Sequence, residues 1–120
     1  MKRLVNKAKK NFSELVREGK YKMIPDLYDK TAVLKGTFEK HPVKGKENIK
    51  NYFKFLTKGY NDVIFDKTHN FSVKKGDLLF EMGLYTFVKK NGEKVDATYE
   101  LVYIKRGEEI KILTHFSALV

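Results

Sequence analysis

The run Asp77–Arg106, DLLFEMGLYTFVKKNGEKVDATYELVYIKR, decides the fold. Two stretches rich in β-branched and aromatic residues flank Asn91-Gly92, the strongest short signal for a two-residue hairpin loop. With those two residues as the loop, Lys90 faces Glu93 and every pairing further out is fixed. One face then holds Phe80, Met82, Leu84, Thr86 and Val88 against Val95, Ala97, Tyr99, Leu101 and Tyr103. The other holds Leu79, Glu81, Gly83, Tyr85 and Phe87 against Asp96, Thr98, Glu100, Val102 and Ile104. The first set is almost wholly apolar and is predicted to carry the helices. The second mixes aromatics with two glutamates. It is too apolar for a wholly wetted face, which predicts a homodimer formed through the sheet.

Outward from the hairpin, residues 62–73, DVIFDKTHNFSV, read as an irregular or bulged strand, and residues 109–119, EIKILTHFSAL, as the last strand after a turn at Gly107. Before them the spacing changes to three and four. Leu4, Val5, Ala8, Phe12, Leu15 and Val16 make one apolar helix face that stops at Gly19. Pro25 suits the first turn of a short second helix carrying Leu27 and Tyr28. Residues 31–36, TAVLKG, read as a strand, residues 37–45 as an irregular connection, and residues 46–59 as a third helix with Ile49, Tyr52, Phe53 and Leu56 on one side. No repeat or linker interrupts the order, so residues 1–120 are expected to form one α+β domain.

Composition narrows the function. The chain has 120 residues, 42% of them hydrophobic, no cysteine and a formal charge of +10. Cysteine chemistry is excluded. No run approaches the roughly 20 apolar residues of a membrane span, and the basic start lacks the apolar stretch of a secretory signal, so a cytoplasmic protein is expected. Nearly all the positive charge is lysine, scattered along the chain; the arginines are Arg3, Arg17 and Arg106. That pattern lacks the arginine–aromatic interleaving of nucleic-acid modules, and fits a solvated surface or a weak attraction for an acidic protein. His41, His69 and His115 show no ligand spacing and the glycines form no phosphate cradle, so neither metal nor cofactor is expected.

Several strings are familiar in order: LYDKTAVLKG, VKGKENIKNYF, GDLLFEMGLYTF, YELVYIKRGEEIKIL and THFSAL. Together they resemble the nuclear transport factor 2-like superfamily, in particular small bacterial members related to the calcium/calmodulin-dependent kinase II association domain and to SnoaL-like proteins. The resemblance covers residues 4–120. It implies a cone: a curved antiparallel sheet wrapped by three helices, with an open mouth and a tendency to dimerise. In that group the last strand often ends in histidines followed by serines, and His115 and Ser117 match that run. Thr114, Phe116 and Ala118 replace its other polar members. The arginines of the kinase association-domain pocket have no match, since Leu84, Leu101 and Ser117 stand there.

On this reading Tyr28, Tyr52, Met82, Tyr99, Leu101, Tyr103, His115 and Ser117 line a mostly apolar pocket for a small, neutral or weakly polar molecule. His115 is the candidate general acid or base. A two-residue loop at Gly107-Glu108 sets it across from Glu100; a loop one residue longer sets it beside Tyr99 on the helix side. Glu81 and Glu100, diagonal on the opposite face, are a second candidate pair. Ketosteroid-isomerase-like members use a tyrosine and acids inside the cone, and the register above places no acid on the helix side of the long strands. Three functions follow: a ligand-binding or assembly domain, a SnoaL-like or ketosteroid-isomerase-like enzyme using His115, and a lysine-rich module for an acidic protein.

Overall fold

The computed structural model describes residues 1–120. Helix α1 spans Lys2–Arg17 and buries Val5, Phe12 and Val16 along one stripe. It ends at Gly19 in a pair of backbone bonds, Gly19 N–H to Val16 O and Lys20 N–H to Leu15 O, that satisfy its last carbonyls. The expected second helix is only a 3-10 turn, Ile24–Leu27, with Pro25 in its first positions. Tyr28 is not on it. Tyr28 adopts an extended backbone and opens strand β1, Tyr28–Lys35, where it pairs with Ile112. Strand β2 (Val43–Lys44) follows, then helix α2 (Lys46–Gly59), which buries Ile49, Tyr52, Phe53 and Leu56. Strands β3 (Tyr60–Lys75), β4 (Leu78–Lys89), β5 (Lys94–Arg106) and β6 (Glu109–Leu119) complete the chain.

The six strands form one sheet in the order β2-β1-β6-β5-β4-β3. All neighbours are antiparallel except β1 and β6, which run parallel, so the sheet is mixed rather than purely antiparallel. Two α-helices and the 3-10 turn cover its inner face around a core of 20 buried apolar residues. The class is α+β, a curved sheet wrapped on one side by helices.

Two one-residue details decide which side chains face the core. The β4–β5 loop has three residues, Lys90, Asn91 and Gly92, closed by Lys89 N–H to Glu93 O at 2.7 Å and Gly92 N–H to Lys89 O at 2.9 Å. Gly92 takes φ 92°, the left-handed position that closes such loops. Asn91 Oδ1 accepts from Glu93 N–H, and Lys90 N–H donates to Gly59 O at the end of α2. These bonds hold the wider loop. Val88 therefore opposes Lys94 and Gly83 opposes Tyr99, one residue off the two-residue register. A one-residue slip turns a strand over. Leu79, Glu81, Tyr85 and Phe87 consequently point inward with Ala97, Tyr99, Leu101 and Tyr103, while Phe80 and Met82 point outward.

The second detail lies in β6. Its turn does have the two-residue loop, since Arg106 pairs with Glu109, but the register shifts at Leu113. Ile112 opposes Tyr103 and Thr114 opposes Val102, so the extra residue is a bulge inside the strand. His115 thereby lies opposite Leu101, facing the core, rather than opposite Glu100. Strand β3 is also bulged as expected, between Phe65 and Asn70.

Candidate functional site

His115 sits at the centre of the buried polar network. Strand β1 brings Tyr28 and strand β4 brings Tyr85 to its two ring nitrogens: Tyr28 Oη lies 2.8 Å from Nδ1 and Tyr85 Oη 3.0 Å from Nε2. Burial pushes the imidazole down to about 3, so it is neutral near pH 7. A neutral ring has one N–H and one lone pair, hence one tyrosine accepts from it and the other donates to it. Burial in turn pushes the Tyr85 hydroxyl up to about 12. Ser117, two residues further along β6, donates to Thr98 O at 2.9 Å and bonds the Thr37 hydroxyl at 2.6 Å. Both candidate polar groups of β6 are thus satisfied inside the protein. His115 keeps no free nitrogen for a substrate.

The hollow expected around it is filled. Phe12, Phe65, Leu101, Tyr103, Ile112 and His115 enclose a void of only about 10 Å³. That is room for about one water molecule, against several hundred Å³ for a usual ligand pocket. Edge-on aromatic contacts, Phe12 to Phe53 at 5.5 Å and Phe65 to Tyr99 at 5.3 Å between centroids, replace the cavity. Of the residues expected to line a pocket, Tyr28, Tyr52, Tyr99, Leu101, Tyr103, His115 and Ser117 are buried within this packing. Met82 is not among them. The three-residue loop turns it to the outer face, where it is 59% exposed. Tyr52 makes no hydrogen bond to His115; its ring lies against Gly36 with no space for a Cβ there, and its hydroxyl has no hydrogen-bond partner.

The same register places an acid where none was expected. Glu81 lies on the inner face, buried, its Oε1 accepting from Tyr99 Oη at 2.8 Å and facing Lys9 Nζ of α1 at 3.1 Å. Burial first, then the bond and charge of Glu81, raise the Tyr99 hydroxyl well above its ordinary range, so it stays a donor. The tyrosine reaches the carboxylate because residue 83 is glycine: a Cβ there would lie 2.8 Å from Tyr99 Oη and 2.9 Å from Asn70 Cβ. Lys9 also sits 5.0 Å over the Phe65 ring. Its signal was present in the sequence, for Lys9 occupies the apolar stripe of α1 between Val5 and Phe12. Glu81 and Glu100 are not a pair, since Glu81 faces in and Glu100 faces out.

Lys9 and Glu81, the latter bonded from behind by Tyr99, line an open groove of about 700 Å³ between α1 and β3. No three histidine, aspartate or glutamate side chains gather as metal ligands. On the opposite side of the sheet, Phe71, Val73, Phe80 and Met82 are exposed together on β3 and β4, and Phe116 of β6 lies on the same face beyond the exposed Glu100 of β5.

This arrangement, a curved sheet with helices on one face and an α1–β3 mouth, is the nuclear transport factor 2-like fold, also described as cystatin-like. Among solved structures, the chain is similar to a Xanthomonas campestris protein described as a calcium/calmodulin dependent protein kinase II association domain, with 26% identity, TM-score 0.86 and coverage of 100% of this chain and 88% of that one. A Streptomyces avermitilis protein described as a dehydratase of the same fold family superposes with TM-score 0.81 at 12% identity, over 98% of this chain and 94% of that one. A Novosphingobium aromaticivorans protein with the cystatin-like fold gives 0.79 at 9% identity, over 99% and 81%. Neither a family sequence model nor a curated protein sequence matches the chain. No helix is long and apolar enough to cross a membrane.

Proposed function

We propose that residues 1–120 form a single cytoplasmic domain whose work is self-assembly, two copies joining through the outer face of the sheet. The observation that carries this reading is the exposed apolar patch. Phe71 is 76% exposed, Met82 59% and Phe116 52%, in a chain whose residues are 33% charged. An apolar patch of that kind on a charged protein marks an interaction surface. A second copy suits it because the rim carries both signs. Lys35, Lys75 and Lys94 flank the patch together with Asp96, and Glu100 stands within it between Met82 and Phe116, so a two-fold-related copy can meet opposite charge as well as apolar surface. The filled interior argues in the same direction, away from a ligand held beside His115. The likeness to a protein described as an association domain supports the reading further.

Sedimentation velocity tests it. At micromolar concentration the protein should sediment at about twice its 14.0 kDa chain mass. Met82→Glu should return it to the monomer with an unchanged circular dichroism spectrum, because an exposed position carries little of the fold. A wild-type monomer, or a Met82→Glu dimer, sinks the proposal.

A further inference from the structure

The α1–β3 groove is independent of the sheet face, and its floor is unusual. An ion pair as enclosed as Lys9 and Glu81, with side chains 12% and 6% exposed, costs desolvation that its own attraction barely repays. Both of its protein contacts fall on one oxygen: Tyr99 Oη and Lys9 Nζ meet Glu81 Oε1. Oε2 has no protein partner. Nor is it sealed away from solvent, because the one sealed side-chain polar atom without a partner is the Tyr52 hydroxyl. Glu81 lines the groove, so this second oxygen is an acceptor open to whatever occupies it. Lys9 already balances the carboxylate charge. The acceptor therefore calls for a neutral donor, a hydroxyl, rather than for a full cation.

The walls call for an anion. Five cationic side chains line the groove against three carboxylates. Of the three carboxylates Glu81 is held by Lys9, Asp66 is tied to the Thr68 and His69 amides, and Glu14 makes no ion pair. Arg17 is engaged by Asp62, but Lys2, Lys10 and Lys67 make no ion pair. A groove of about 700 Å³ has the size of a small-molecule site.

We infer that this groove binds a hydroxylated organic anion, its hydroxyl on Glu81 Oε2 and its charged group among Lys2, Lys10 and Lys67. The chemistry fits a hydroxycarboxylate or the phosphate ester of a polyol, and the two can be separated by experiment. Titrations of the full chain, followed by calorimetry and by amide shifts in nitrogen–proton spectra, would use D-glycerate and glycerol 3-phosphate as the two-feature probes. Propionate, inorganic phosphate and glycerol each carry a single feature. At least one two-feature probe should bind ~10-fold or more tighter than every single-feature one, the value of one hydrogen bond to a charged acceptor. It should shift the Glu81 and Tyr99 amides. Preference for glycerol 3-phosphate identifies a phosphate ligand and preference for D-glycerate a carboxylate.

Glu81→Gln should erase the advantage of the hydroxyl. Because that change also strips Lys9 of its counter-ion, Lys10→Ala provides a variant on the exposed wall that leaves the fold intact. It should weaken either anionic probe by up to ~5-fold and reduce the salt dependence. Equal affinity for D-glycerate and propionate together with equal affinity for glycerol 3-phosphate and phosphate overturns the inference. So does Lys10→Ala binding that matches wild type, or amide shifts confined to the outer sheet face.

Discussion

On the inner face of β4 and β5, Tyr85, Phe87, Tyr99 and Tyr103 are buried under the helices, while one residue away on the outer face Phe80 and Met82 stand in solvent. The inner face also carries polar groups at its centre. It holds Glu81, His115 and Ser117, where the outer face sets Phe71, Phe80, Met82 and Phe116 around the exposed Glu100. Hydropathy alone would turn β4 over, although it assigns β5 correctly. The difference teaches that polar groups are tolerated inside when each finds a partner, and here tyrosine hydroxyls supply them: Tyr28 and Tyr85 for His115, Tyr99 for Glu81. The rings bring the apolar area, and their tips complete the network. The outer face has no helix over it, and its apolar side chains stay exposed.

The contrast breaks most readily at Tyr85. Replacing this wholly buried ring with alanine should cost about 3–5 kcal/mol of stability and strand one nitrogen of His115. Phe71→Ala, on the outer face, should change monomer stability by no more than ~0.5 kcal/mol. Urea midpoints of both, made in the Met82→Glu background to remove self-association, measure the gap. Similar losses at the two sites would erase the distinction between the faces.

Acid should expose the inner face next. His115 is held down to about 3 when folded, from an ordinary value of 6.5. Its folded value is depressed, so its contribution is complete above 6.5 and is lost as pH falls toward 3, because only the unfolded chain takes up the proton. The slope reaches up to ~1.4 kcal/mol per pH unit. Glu39, raised by burial, opposes this trend around the carboxylate range. Asp29, held low chiefly by the hydrogen bond from Arg106, joins the loss below about pH 4. Denaturant titrations between about pH 6.5 and 5 therefore isolate the histidine. His115→Gln should flatten the curve there, and a flat wild-type curve would remove the buried neutral imidazole from the account.

A smaller effect sharpens the picture at the mouth of the groove. Gly83→Ala places a methyl within 3 Å of both Tyr99 and Asn70, and should cost about 1–3 kcal/mol while loosening Tyr99 from Glu81. Near-ultraviolet circular dichroism should report the change in the tyrosine environment. An unaltered spectrum would mean that the ring does not depend on the glycine.

Much of the fold was legible in the sequence. The three-and-four spacing of Val5, Phe12 and Val16 gave α1, that of Ile49, Phe53 and Leu56 gave α2, and Asn91-Gly92 located the long hairpin. Of the candidate site, His115 was legible as a residue lodged in an apolar strand. Its partners were not, because Tyr28 and Tyr85 come from strands 87 and 30 residues away. Glu81 was assigned to the wrong face for the same reason that Met82 was: both depended on a loop length that Asn-Gly alone does not fix. Lys9 stands apart from the other lysines by its place in the apolar stripe of α1.

The chain by itself determined the two long helices, the long strands, their order, and the amphipathic faces of both helices, since these follow from local spacing and turn residues. Tertiary structure decided which side of β4 faces the core, where His115 ends, and that aromatic rings fill the cone. A strand turns over with a shift of one residue, so a three-residue loop at Asn91 and a bulge at Leu113 each reversed a face. The loop is held in part by the Lys90 N–H bond to Gly59 O at the end of α2, a contact across the fold that no local pattern records.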